Sequence, residues 1–98
     1  MMDDYRPVPG YEGLYSVDAC GNVFSHERQR IVRPTKPEQT WGCVYVSLCK
    51  NGRNATHSVA ELVANAFVPN PNGYHIVKHK NGNRTNCKAR NLEWAATA

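Results

Sequence analysis

Residues 79–94 read HKNGNRTNCKARNLEW, with one histidine, four asparagines and four cations in sixteen positions and no large apolar side chain before Leu92. Such a stretch cannot be core, because each polar group would have to be stripped of water and re-paired. Working outward, Lys78 extends the run to five cations without an anion as far as Arg90. A one-signed cluster rich in Asn and Gly suits a phosphate backbone better than an ordinary solvated face.

The chain around it has 98 residues and 41% hydrophobic content, enough for one domain (residues 1–98) with a modest core. No apolar run approaches membrane-spanning length. The N-terminus MMDDYRPVPG lacks a cationic segment followed by an apolar one, so a cytoplasmic location is expected. Cys20, Cys43, Cys49 and Cys87 fall at irregular spacings with no CxxC pair, which favours reduced thiols over zinc. Charge is divided along the chain. Asp3, Asp4, Glu12 and Asp18 outnumber Arg6 in the first twenty residues, whereas the remainder has eleven cations against four carboxylates.

Residues 9–25 read as a hairpin, with strands at Leu14–Val17 and Val23–Ser25 and turn formers from Asp18 to Asn22. His26 to Gln39 is polar and interrupted by prolines. Its Arg28, Arg30 and Arg33, with Lys36, make it an exposed connection and a second candidate phosphate contact. Trp41 opens a strand in which Val44, Val46 and Leu48 alternate with polar or smaller residues. Asn51-Gly52 then signals a tight turn, with a return strand to His57. Ser58 and Glu61 form a capping-box pattern. Val59, Leu62, Val63, Ala66 and Phe67 share one face of a helix over 58–68, which Pro69 ends.

Two segments carry a family resemblance. Gly10-Tyr11-Glu12-Gly13 with Tyr15 and Val17, followed by Gly21, Val23 and Ser25, resembles the nuclease-associated module that precedes many phage HNH domains. Residues 5–25 are assigned to it. Residues 41–98 resemble the HNH region of homing-type endonucleases of phages and mobile introns. By that resemblance the strand is residues 75–79, the turn Lys80 to Asn83, and the closing tetrad Asn91-Leu92-Glu93-Trp94. The family helix start commonly shows a His-Arg pair, and this chain has Ala60-Glu61 there, so the helix is assigned to packing. The implied fold is α+β: small antiparallel hairpins, one helix and an incomplete ββα-metal (His-Me finger) motif.

The resemblance implies that His79 is the general base and that Asn91, twelve positions on, orients it through the ring or the backbone. Mg²⁺ would be the cofactor if the chain is active. Lys78 stands where active relatives carry a ligand, and an ammonium has no lone pair to offer a metal. The second ligand is implied on a helix past Ala98. No metal ligand is therefore assigned, and none is the cofactor expected of this chain alone. DNA is the expected partner, contacted by Lys78, Lys80, Asn83, Arg84, Lys88 and Arg90, with Arg28, Arg30 and Arg33 as the second group. Two functions follow: an HNH endonuclease-like DNA-binding protein with impaired cleavage, or an inactive HNH scaffold reused as a binding protein, for example a phage inhibitor of a host defence nuclease. A host protein is the partner in the second case, and a homodimer would cover core left exposed by an absent helix.

Overall fold

The computed structural model describes residues 5–34 and 44–96. Lys36, Trp41 and Cys43, singled out above, lie outside the described residues.

The Leu14–Val17 and Val23–Ser25 hairpin forms the centre of a larger sheet. Strands β1 (Arg6–Pro7), β2 (Tyr15–Val17), β3 (Val23–Ser25) and β4 (Arg30–Ile31) pair antiparallel in that order. Part of the stretch read as a plain connection thus adds an edge strand, with Phe24 opposite Ile31 and Ser25 opposite Arg30. Both edge strands are only two residues long and exposed, so they have no alternation by which to be recognised.

β5 (Tyr45–Lys50) and β6 (Arg53–Ser58) make the second sheet. Val46 and Leu48 point inward and Ser47 and Cys49 outward, as the alternation requires. Lys50 pairs with Arg53 across Asn51 and Gly52, whose φ values of 54° and 76° are those of a two-residue hairpin turn. Aromatic groups tie this hairpin to the first sheet. Tyr11 Oη lies 2.9 Å from His57 Nε2, and Tyr15 Oη accepts from the Cys49 amide at 3.0 Å.

The helix α1 (Val59–Phe67) begins at Ser58, whose Oγ accepts from the Glu61 amide. Val59, Ala60, Leu62, Val63 and Ala64 are buried along one face against Val8, Val17, Val23, Val46, Leu48 and Leu92. At its other end Arg6 donates to the Ala66 carbonyl and stacks over the Phe67 ring, a favourable place for a cation. The third sheet pairs β7 (Ile76–His79) with β8 (Leu92–Ala95), joined by a loop that ends in a 3-10 turn (Ala89–Asn91). The architecture is α+β, three small antiparallel sheets around one helix. No helix among the described residues is long and apolar enough to cross a membrane.

Leu48 is fully buried where the sheets meet the helix. Leu48→Ala is expected to cost about 2–5 kcal/mol, measured by urea unfolding. Asn65→Ala, on the exposed side of α1, should stay within about 0.5 kcal/mol.

Candidate active site and nucleic-acid interface

The register of β7 and β8 decides which way each candidate side chain faces. His79 pairs with Leu92 and Val77 with Trp94, while Lys78 pairs with Glu93. Alternation therefore puts His79, Val77, Leu92 and Trp94 on one face, and Lys78 and Glu93 on the other. The first face turns toward the core: Leu92 is buried, and Trp94 Nε1 donates to the Val68 carbonyl at 3.1 Å. Lys78 and Glu93 are both exposed.

His79 is consequently half-buried. Its Nε2 is fully buried without a hydrogen-bond partner, the one such side-chain nitrogen or oxygen among the described residues. Any proton exchanged with an outside group must therefore pass through Nδ1. Burial lowers the imidazole pKa below its ordinary value, and the Arg84 charge lowers it further. The ring is held neutral near pH 7, the state in which it can accept a proton.

The loop after β7 is built by its asparagines. Asn81 Oδ1 accepts from the Asn83 amide at 2.8 Å, and Asn83 Oδ1 from the amide and hydroxyl of Thr85. Asn86 Oδ1 accepts from the Lys88 amide at 3.3 Å. Each side chain bonds the backbone two residues on, which closes successive turns without a sheet ladder. Asn91, 8% exposed, locks the set. Its Oδ1 accepts from the Asn81 amide at 3.2 Å, and its Nδ2 donates to Asn81 Oδ1 and to the Asn86 carbonyl at 2.9 Å. Its own carbonyl accepts from the Lys80 amide at 2.7 Å.

These bonds refine the role expected of Asn91. It does not bond the His79 ring. It acts on the two residues that follow His79, while the Gly82 amide donates to the His79 carbonyl at 2.9 Å. Asn83 likewise spends its Oδ1 inside the loop. Asn86, which reading the sequence did not single out, is as much part of this scaffold as Asn81. Its only signal was the recurrence of Asn through the segment.

Lys78, Lys80, Arg84, Lys88 and Arg90 are all exposed on or beside this loop. Arg28, Arg30 and Arg33 are elsewhere. They line a cavity of about 530 Å³ between the four-stranded sheet and the β5–β6 hairpin, with Ser47 and Asn54 on its far wall. The structure thus divides the candidate cations into two groups on different elements.

A divalent cation beside His79 would require hard oxygen ligands. The described residues do not fit that requirement. Lys78 precedes the histidine, Arg84 adds positive potential, and Glu93 is the one carboxylate on the hairpin. Among the described residues no three His, Cys, Asp or Glu side chains form a ligand set.

Comparison with known proteins gives this geometry its family. A family model described as the NUMOD4 motif matches residues 3–49. The chain is 32% identical over 91 residues to the DNA endonuclease I-HmuI of Bacillus phage SP01, covering 93% of this chain and 51% of that protein. A solved structure of the HNH homing endonuclease I-HmuI, concerned with its DNA binding and cleavage, superposes with a TM-score of 0.83 at 32% identity. The match covers 94% of this chain and 52% of that one. The chain belongs to the HNH homing endonuclease family. An uncharacterised HNH endonuclease of Acanthamoeba polyphaga mimivirus is 31% identical over 80 residues, which is 82% of this chain and 23% of the relative. This family member thus spans about half the length of I-HmuI and less of the mimivirus protein.

The lowered pKa of His79 has a sign that can be checked. The unfolded chain binds this proton more readily than the folded one, so the stability contribution is present above the unfolded value of 6.5. It is lost as pH falls from there through the lower folded value. His79→Gln should flatten this part of the pH dependence of melting, and the His79 ring signals should titrate below 6.5 in an NMR series.

Proposed function

We propose that this chain binds duplex DNA through the loop that follows β7, and that its metal-dependent cleavage is impaired. The observation that supports the reading most directly is the placement of five exposed cations on and beside a loop whose shape is set by internal Asn bonds. Lys78, Lys80, Arg84, Lys88 and Arg90 neutralise phosphates, which gives affinity without base readout. Arg28, Arg30 and Arg33 would extend the footprint. The relative I-HmuI is a DNA endonuclease, which supports the same partner here.

His79 is the base in this reading. A neutral imidazole with Nε2 sealed presents Nδ1 to the proton of an attacking water. Asn91 fixes the chain just beyond it, and so the direction in which the ring emerges. Lys78 opposes a divalent ion at the adjacent position while still attracting a phosphate.

The test joins binding to metal response. Wild-type chain should bind duplex DNA with a log–log salt slope that falls by about one unit for each phosphate-contacting cation replaced by Ala. It should show neither Mg²⁺-dependent nicking of supercoiled plasmid nor a rise in Tm with Mg²⁺. Lys78→Asp sets two carboxylates across the β7–β8 register, lowering stability by about 0.2–1 kcal/mol. Millimolar Mg²⁺ should recover that loss, with little cleavage. Mg²⁺-dependent cutting by the wild type, abolished by His79→Ala, would overturn the impaired-cleavage reading. Absence of DNA binding would instead favour a protein target.

A further inference from the structure

The loop from Lys80 to Lys88 is held at one end by Asn91. What holds its other end lies nearly seventy residues earlier in the chain, in the turn between β2 and β3. Asp18 is 3% exposed there, and its carboxylate accepts from the Cys20 and Asn22 amides at 3.0 and 2.8 Å and from Asn22 Nδ2. With the Asp18 amide donating to the Asn22 carbonyl, the turn is closed by its own bonds. That leaves the Ala19 carbonyl pointing outward, and it accepts from the Ala89 amide at 2.8 Å, at the start of the 3-10 turn. Gly21, at φ 95°, lets the turn approach closely. A Cβ there would stand 3.4 Å from Val59 Cγ1 and 3.5 Å from Cys87 Cβ. Cys87 is buried at this junction, one residue before Lys88.

We infer that the Asp18–Asn22 turn is a positioning element for the cationic loop, pinning its second half so that Arg84, Lys88 and Arg90 meet a phosphate backbone as a fixed set. The inference rests on the DNA reading above for its consequence, and on the turn's geometry for the clamp itself. Without the clamp the loop keeps its Asn bonds but loses its attachment beside Cys87 and Ala89. Its cations then have to be ordered on binding, which weakens affinity. A turn that only closed the hairpin would leave binding at the loop untouched.

The experiment uses the full chain with Gly21→Ala, which meets an unfavourable φ, and Asp18→Asn, which removes the acceptor of the Asn22 Nδ2 bond and so loosens the turn. Amide hydrogen exchange and binding to a short duplex at several salt concentrations are read together. The expected result is exchange about tenfold or more faster at Ala89, with the Lys80 and Asn81 amides, which Asn91 holds, and the β5 and β6 amides unchanged. DNA affinity should fall several-fold, with a shallower salt slope. Lys88→Ala is the contrast, lowering the slope by about one unit with normal exchange in the loop. Unchanged exchange at Ala89 in both variants overturns the clamp. Faster exchange there with unchanged affinity and slope overturns the positioning role. If Gly21→Ala accelerates exchange throughout, it has unfolded the chain, and Asp18→Asn alone decides. A wild type that binds no duplex removes the DNA reading and the positioning role with it, while Ala89 exchange still decides whether the turn pins the loop.

Discussion

The Asn91 side chain makes three hydrogen bonds from a nearly buried position, and the order of the last quarter of the chain depends on them. The segment between β7 and β8 has no sheet ladder and few apolar groups, so it cannot be held by burial. One amide with a donor end and an acceptor end ties Asn81 and Asn86 together across the loop. No other side chain of this size matches both needs. Leu would leave the Asn81 amide and the Asn86 carbonyl unpaired, and Asp would turn an anionic oxygen on that carbonyl. The same residue then enters β8, where Leu92 packs against the core. Loop shape and core packing are thereby joined at consecutive positions.

Much of this was legible in the sequence, and the reasons are local. Asn51-Gly52 announces a two-residue turn because both residues tolerate positive φ, and Ser58 announces the helix because its hydroxyl replaces a missing carbonyl. The family resemblance located β7 and β8. Other features had no local mark. β1 and β4 exist through pairing with β2 and β3, which their two residues could not announce. That the Asn91 side chain bonds Asn81 and Asn86 had no local mark, because sequence spacing gives proximity and not the direction of an amide. That Arg6 would sit over Phe67, at the far end of α1, required the tertiary fold.

Charge acts in two opposed ways in this region. Cations suit a phosphate backbone, and the positive charge of Arg84 discourages protonation of His79 as it would discourage a divalent ion. In a nuclease with carboxylate ligands the two demands are separated, because the ligands neutralise the metal locally. With Lys78 beside His79 they are not. Among the described residues, the cations that suit a phosphate supply no ligand to a divalent ion.

The ring of His79 expresses that balance most sharply. For Nδ1 to accept a proton in the neutral ring, Nε2 must carry the other one, as a buried N–H without an acceptor. An unpaired buried donor costs about 1–3 kcal/mol, and taking up a second proton places a full cation in the same desolvated surroundings near Arg84. The first cost is carried by the neutral and the protonated ring alike, so it is burial of the second charge, with Arg84 beside it, that pushes the pKa down. The unprotonated fraction at pH 7 is therefore high, but the driving force for proton transfer from water is correspondingly small, since a weaker base abstracts less readily. An acceptor for Nε2–H would reverse this by stabilising the imidazolium. The site as built thus favours a base that is always available over one that is strong.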